Sequence, residues 1–330
     1  MVRRPAVRRL RRAGRGRAVR VGVVDLGTNT CRLFLARVED AKVLTDARLT
    51  AVVRLGQGVD RTGRLDPEAV ARTRACLAGY APRLEAYGPE RRLLVATSVL
   101  RDAADGSGFL ADVLRDFALP SRVLAGEEEG TLAFRGGTAE LAGCTGGPLV
   151  LTDIGGGSTE FAVGNAGAAP TFVRSLDVGV VRLTERFVHH DPPAAGELEL
   201  LAAFVATAIA DAVPAAVRAA ARGGVGVAGT YTTLVAHKLG LTEYRSELVH
   251  GHVLSLADID AAIAEFAALT NAERGRLAGI QPGREDVILA GAHIAREACR
   301  AFGLTRVRCS EADILEGAAL ALAEGSLTSG

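Results

Sequence analysis

A chain of 330 residues, 48% hydrophobic but only 4% aromatic and without tryptophan, is long enough for two domains and must build its core from aliphatic side chains. Its formal charge is +1, yet nine arginines and no acid fall in the first twenty residues. The rest of the chain holds 30 basic residues (39 less those nine) against 38 acidic, a net of −8, which argues against a general nucleic-acid binder.

The leader 1–18 has no apolar core, so it is no secretory signal, and its charge density predicts disorder. No run of about eighteen apolar residues exists, so no membrane span is expected. The five cysteines, Cys31, Cys76, Cys144, Cys299 and Cys309, are isolated and odd in number, as in a reducing cytoplasm.

Apolar runs predict strands at 21–24, 33–38, 52–55 and 93–96. Asp66 is a helix cap ahead of Pro67, which opens a helix over 67–84. A strand at 122–124 reaches the acid cluster Glu127, Glu128 and Glu129, and a helix follows over 131–141. The second half is read as strands at 149–153, 160–163 and 172–176, then a long helical stretch, 194–221, broken at Pro214. A strand at 225–227, helices at 256–268 and 286–302, a strand at 307–310 and a helix at 314–322 complete the chain.

Two places in this order carry chemistry. In LVLTDIGGGSTEFAVG a strand ends on Asp153, passes Gly155, Gly156 and Gly157, and presents Ser158, Thr159 and Glu160. Adjacent glycines weaken a sheet unless something approaches the backbone. Backbone N–H groups and two hydroxyls form a nest for phosphate oxygens. Asp153 and Glu160 would repel a bare phosphate, and Mg²⁺, which takes one or two carboxylates with phosphate oxygens and water, resolves the conflict. A flexible hairpin tip with two solvated acids is an equally good reading of this stretch alone.

The second place is VRVGVVDLGTNTCRL, where a strand ends on Asp25 before Gly27, Thr28, Asn29 and Thr30. Asp25 and Asp153 lie 128 residues apart, which predicts two lobes of similar build, each offering a phosphate loop to a shared cleft. Among other residues, the Glu127–Glu129 cluster is either a general base at the lobe junction or a solvated helix start. Arg101 is either a phosphate ligand or a surface arginine. His189 and His190 fall in a loop, while His250 and His252 either face the cleft or satisfy buried hydrogen bonds. The two lysines, Lys42 and Lys238, sit in no GxxxxGK[ST] loop, and no HExxH, GxSxG or CxxC pair is present.

The ordered blocks VDLGTNTCRL, RLGQGVDRTGRL, ATSVLRDA, AGEEEGTLAF, TDIGGGSTEF, SLDVGVVRLTE, VAGTYTTL, PGREDVILAGA and SEADILEG resemble the exopolyphosphatase and guanosine pentaphosphate phosphohydrolase family, within the actin, Hsp70 and sugar kinase superfamily. The resemblance runs from about Val19 to Ala323. It implies an α/β fold of two actin-like, ribonuclease H-like lobes with mixed sheets flanked by helices and the active site between them. Lobe I is expected over 19–130, lobe II over 131–313, with a C-terminal helix, 314–330, returning to lobe I.

By the same resemblance, Asp25 to Arg32 is the first phosphate loop and Asp153 to Glu160 the second. Asp25, Asp153 and Glu160 become metal-site acids for Mg²⁺ or Mn²⁺, Arg101 a phosphate contact, and Glu129 the catalytic base with Glu128 as its substitute. Thr131 stands where family members often carry an arginine. The implied activity is release of the terminal phosphate of inorganic polyphosphate, of short chains because no helical extension follows the core. Cleavage of guanosine pentaphosphate, an alarmone-sensing role without turnover, and an ATP-dependent kinase or ATPase are the alternatives. A cytoplasmic homodimer is the expected assembly, without nucleic-acid or membrane partners.

Overall fold

The computed structural model describes residues 17–143 and 146–329; most of the arginine-rich leader, and Cys144, lie outside them. Two sheets form the frame. The first contains β1 (Val19–Leu26), β2 (Thr30–Glu39), β3 (Lys42–Val52), β4 (Arg91–Ala96) and β5 (Ser121–Val123), in the order β3-β2-β1-β4-β5. The second contains β6 (Leu149–Ile154), β7 (Thr159–Gly164), β8 (Phe172–Leu176), β9 (Gly223–Val227), β10 (Val253–Ser255) and β11 (Arg306–Cys309), in the order β10-β11-β9-β6-β7-β8.

In each lobe three consecutive strands pair antiparallel as a meander, and the first of them then pairs parallel with a later strand. The repetition expected from the two Asp-initiated loops is therefore a repetition of topology: β1-β2-β3 with β4 matches β6-β7-β8 with β9. The central strands β1 and β6 are almost wholly buried, as strands covered on both faces by helices must be.

The third strand differs from expectation. It runs over Lys42–Val52, not 52–55, and its mixed polar sequence reflects an edge strand that is largely half-exposed. The apolar run after it is a loop. Val53 and Leu55 are buried there, while the N–H groups of Val53 and Arg54 donate to the Asn29 carbonyl, and that of Gly56 to the Thr28 carbonyl. This loop therefore braces the first phosphate turn from behind.

Asp66 accepts from the Ala69 N–H at 3.0 Å and opens the Pro67–Tyr87 helix as expected. The helix after β5 begins earlier than expected, at Gly126, because the Glu128 carboxylate reaches back to the Ala125 N–H. It runs unbroken to Thr138, across the 130/131 boundary expected from sequence, and packs on β6, β7, β8 and β9. The C-terminal helix Ile314–Glu324 packs on β1, β2, β3 and β4.

These two helices also pack on each other, and the contact is backbone to backbone. A Cβ on Gly136 would lie 1.9 Å from the Asp313 carbonyl oxygen, and one on Gly317 1.9 Å from that of Leu132. Only glycine fits. One continuous apolar cluster follows, joining Val21, Phe34 and Val95 of the first sheet to Leu151, Ala162 and Val225 of the second through Leu315, Ala318 and Ala319.

Candidate active site

The same register places a charged pair at the neck of each phosphate hairpin. Across β1 and β2, Asp25 stands opposite Arg32; across β6 and β7, Asp153 stands opposite Glu160. The first pair is neutralised: Arg32 donates from Nε to Asp25 Oδ2 at 2.8 Å and also grips Asp313, the cap of the C-terminal helix. The second pair is two acids directly opposed, which destabilises a sheet when both are ionised, unless a cation intervenes.

The two turns meet tightly. A Cβ on Gly156 would come within 2.8 Å of Thr28 Cβ, and one on Gly157 within 2.6 Å of Ser98 Oγ and 2.8 Å of Thr28 Oγ1. Ser98 and Thr28 share a hydrogen bond of 3.1 Å. Between the turns lies a cleft of about 90 Å³ lined by Asp25, Gly27, Thr28, Asn29, Thr30, Arg32, Glu129, Asp153, Gly155, Gly156 and Ser158. The first loop and Asp153, Gly155, Gly156 and Ser158 of the second are thus brought together.

Several positions depart from expectation. Thr159 turns its hydroxyl to the Val178 carbonyl and is fully buried, a structural role. Gly157 lies at the seam between the turns, and Glu160 sits behind the cleft wall, its Oε1 accepting from Ser175 Oγ at 2.7 Å. Arg101 does not stand free for phosphate: its Nη1 donates to the Leu124 carbonyl at 2.7 Å and to Glu129 Oε2 at 3.1 Å, so it holds the glutamate. Glu128 is not a substitute base, because its carboxylate is consumed by the Ala125 N–H and Arg122 on the outer side of the helix. His250 is bound to Glu140 and the Glu311 N–H, away from the cleft.

Glu129 enters the cleft because the helix beginning at Gly126 turns it inward, with Gly130 allowing the helix to approach β7 and β8: a Cβ there would meet Val173 Cγ1 at 2.7 Å. Sequence reasoning missed Thr97, Ser98, Arg284 and Asp313. Arg284 reaches over Gly229 at the start of the Ala228–Lys238 helix, its Nε donating to Gln281 Oε1 at 3.2 Å, and its pKa is lowered by burial and then by Arg32. A guanidinium over a helix N-terminus favours an anion beside it. Ala228 adopts φ +66° at this corner, a conformation a non-glycine residue holds at some cost.

The electrostatics of the acids follow from crowding. Glu129 is pushed well above the usual carboxylate range by burial and then by Glu160. Asp153 is raised by burial, then by Asp313 and Glu129. Glu160 rises to about 8 through burial and Asp153. Asp25 is raised by burial, which outweighs Arg32. Asp25 Oδ1 and Glu160 Oε2 are buried without any hydrogen-bond partner.

Orphaned carboxylate oxygens and opposed acids fit a hard divalent cation. Among the described residues, no three acid, histidine or cysteine side chains stand at a spacing to hold one ion together.

Two actin-like lobes that close phosphate hairpins, acids and a buried glutamate on one cleft define a phosphate-processing enzyme of the actin superfamily. The chain belongs to the Ppx/GppA phosphatase family, whose model matches residues 35–324. It is 42% identical over 318 residues to exopolyphosphatase 2 of Mycobacterium tuberculosis, covering 92% of this chain and 98% of that one. Among solved structures, an exopolyphosphatase-like protein superposes with a TM-score of 0.86 at 33% identity, covering 92% and 97% of the two chains. The Ppx/GppA member of Aquifex aeolicus gives 0.78 at 29%, covering 95% and 100%.

Proposed function

We propose that this protein is an exopolyphosphatase, releasing orthophosphate from the end of short inorganic polyphosphate. The observation that carries the reading is the meeting of the Asp25–Arg32 and Asp153–Glu160 hairpins across one cleft with Glu129 in its wall. The relative named exopolyphosphatase 2 supports it.

The N–H groups and hydroxyls of Thr28, Thr30 and Ser158 would receive the terminal phosphate, with Arg32 and Arg284 beside it. Of the three expected metal-site acids, Asp153 and Asp25 line the cleft and would hold Mg²⁺ or Mn²⁺, with Glu160 behind Asp153; bound there, the ion would neutralise the phosphate oxygens. Glu129 accepts the proton of the attacking water, and a carboxyl raised by burial and Glu160 is a stronger proton acceptor than an ordinary one. Arg101 fixes that carboxylate in place. Little covalent chemistry is required, so positioning dominates.

A second reading, cleavage of guanosine pentaphosphate, is favoured by a chamber of about 690 Å³ that adjoins the cleft through Arg32, Gly229 and Arg284. Thr232, Tyr244, Ser246 and Gln281 in its wall suit a nucleoside. Phosphate release with Mg²⁺ from short polyphosphate, long polyphosphate and guanosine pentaphosphate separates the readings. Glu129→Ala should lower kcat by about a hundredfold or more. Silence of the wild type on all three substrates refutes the proposal.

A further inference from the structure

Arg182 lies outside the cleft, and no expectation from sequence attached to it. It belongs to the Val180–Phe187 helix of lobe II, whose first turn is pressed onto the back of the second phosphate loop. The Val180 N–H donates to the Gly155 carbonyl at 3.0 Å, and the Val181 and Arg182 N–H groups donate to the Gly156 carbonyl at 2.9 and 3.3 Å. Arg182 Nε then takes the Gly157 carbonyl at 2.9 Å. Three successive loop carbonyls, of Gly155, Gly156 and Gly157, are thereby bound by this helix. Gly179 makes the approach possible, since a Cβ there would lie 2.3 Å from the Gly156 oxygen.

The rest of the same guanidinium crosses to lobe I. Nη1 pairs with Asp60 Oδ1 at 2.8 Å and Nη2 with Asp102 Oδ2 at 2.6 Å. Asp102 ends the short helix that begins with Ser98, the partner of Thr28, and it adjoins Arg101, the partner of Glu129. One turn further on, Glu185 accepts from the Gly58 N–H at 3.1 Å, on the loop that braces Thr28 and Asn29.

We propose that Arg182 is a positioning residue that sets the second phosphate loop, the first phosphate loop and Glu129 in one arrangement. The inference rests on the phosphatase reading of the cleft. A planar fork with three separate partners is a device lysine does not reproduce. Without it, the Gly157 carbonyl loses its side-chain donor, and Asp60 and Asp102 lose the guanidinium that lies between them. The tie between the lobes is then lost and two acids of lobe I repel each other, and a loop displaced by about 1 Å costs on the order of a hundredfold in rate.

The test combines kinetics and amide hydrogen exchange on full-length Arg182→Gln, Arg182→Lys and Asp102→Asn. The Gln protein should lose about tenfold or more in kcat with a smaller change in KM, and the Lys protein should recover part of the loss. Combined with Asp102→Asn, Arg182→Gln should cost less than the product of the two single effects. Exchange should quicken together at 155–158 and at 98–102, which lie in different lobes. A kcat within about twofold of wild type, multiplicative effects, or quickening confined to one lobe would overturn the proposal. If the wild type releases no phosphate, the functional reading fails by itself, and the exchange pattern alone decides the role of Arg182. If Arg182→Gln does not fold, Arg182→Lys and Asp102→Asn carry the same comparison.

Discussion

Raising the pH of the metal-free protein should destabilise it, and replacing Asp153 by Asn should remove part of that loss. Glu160 holds its proton in the folded state up to about pH 8, whereas in the unfolded chain it ionises near the ordinary 4.5. The folded state therefore binds more protons between these values, and stability falls as pH rises through the window. At about 1.4 kcal/mol per unit, the ceiling is about 5 kcal/mol, against a typical total of about 5–15.

For a chain of this size that corresponds to a fall of about 10 °C in Tm. Asp153 is the charge that adds to burial in raising Glu160, so Asp153→Asn should flatten the profile while abolishing phosphate release. Thermal unfolding from pH 5 to 8.5, with EDTA or with Mg²⁺, reads the effect. Mg²⁺ should stabilise the wild type more at pH 8 than at pH 6, because protons and metal compete for the same oxygens. A wild-type Tm that stays level or rises through this window in EDTA, or a variant that follows the wild-type slope, refutes the reasoning.

Other substitutions test single contacts. Glu128→Ala should keep kcat near wild type, unlike Glu129→Ala, and cost only about 0.5–1 kcal/mol in unfolding, since its carboxylate serves the helix start. Arg32→Ala leaves Asp25 and Asp313 buried without their partner, and should cost about 3–5 kcal/mol by urea unfolding as well as activity. Gly317→Ala forces a Cβ against the Leu132 carbonyl oxygen and should lower Tm sharply or prevent folding, although it touches no substrate.

The sequence made the two phosphate hairpins legible because each couples a strand-ending aspartate to glycines and hydroxyls at the same offset, a local pattern with a local cause. In the residues alone Glu129 was one of three adjacent acids, and it was the family resemblance that singled it out, with Glu128 as its substitute. What separates it from Glu128 is the helix start at Gly126, which turns one carboxylate to the cleft and spends the other as a cap. Ser98, Arg284, Asp313 and Arg182 carry no local signature; Ser98 meets Thr28, Asp313 meets Arg32 and Arg182 meets Asp102 only in the fold, and Arg284 is carried over Gly229 in the same way. The strand Lys42–Val52 was missed because an edge strand need not alternate, while the apolar residues after it are buried without being a strand.

The crossing at Gly136 and Gly317 has a mechanical consequence. Where two helices touch through bare backbone, the distance between the lobes is set by the thickness of the peptide chain alone, with no side chain to act as a compressible spacer. Asp313, whose carbonyl lies in that contact, is also gripped by Arg32 at the cleft, so any thickening there is transmitted to the first hairpin through a short, stiff path. Substitutions at this joint are therefore to be judged by bulk, not polarity, and the tolerance of the catalytic geometry is fixed partly at a place where no chemistry occurs.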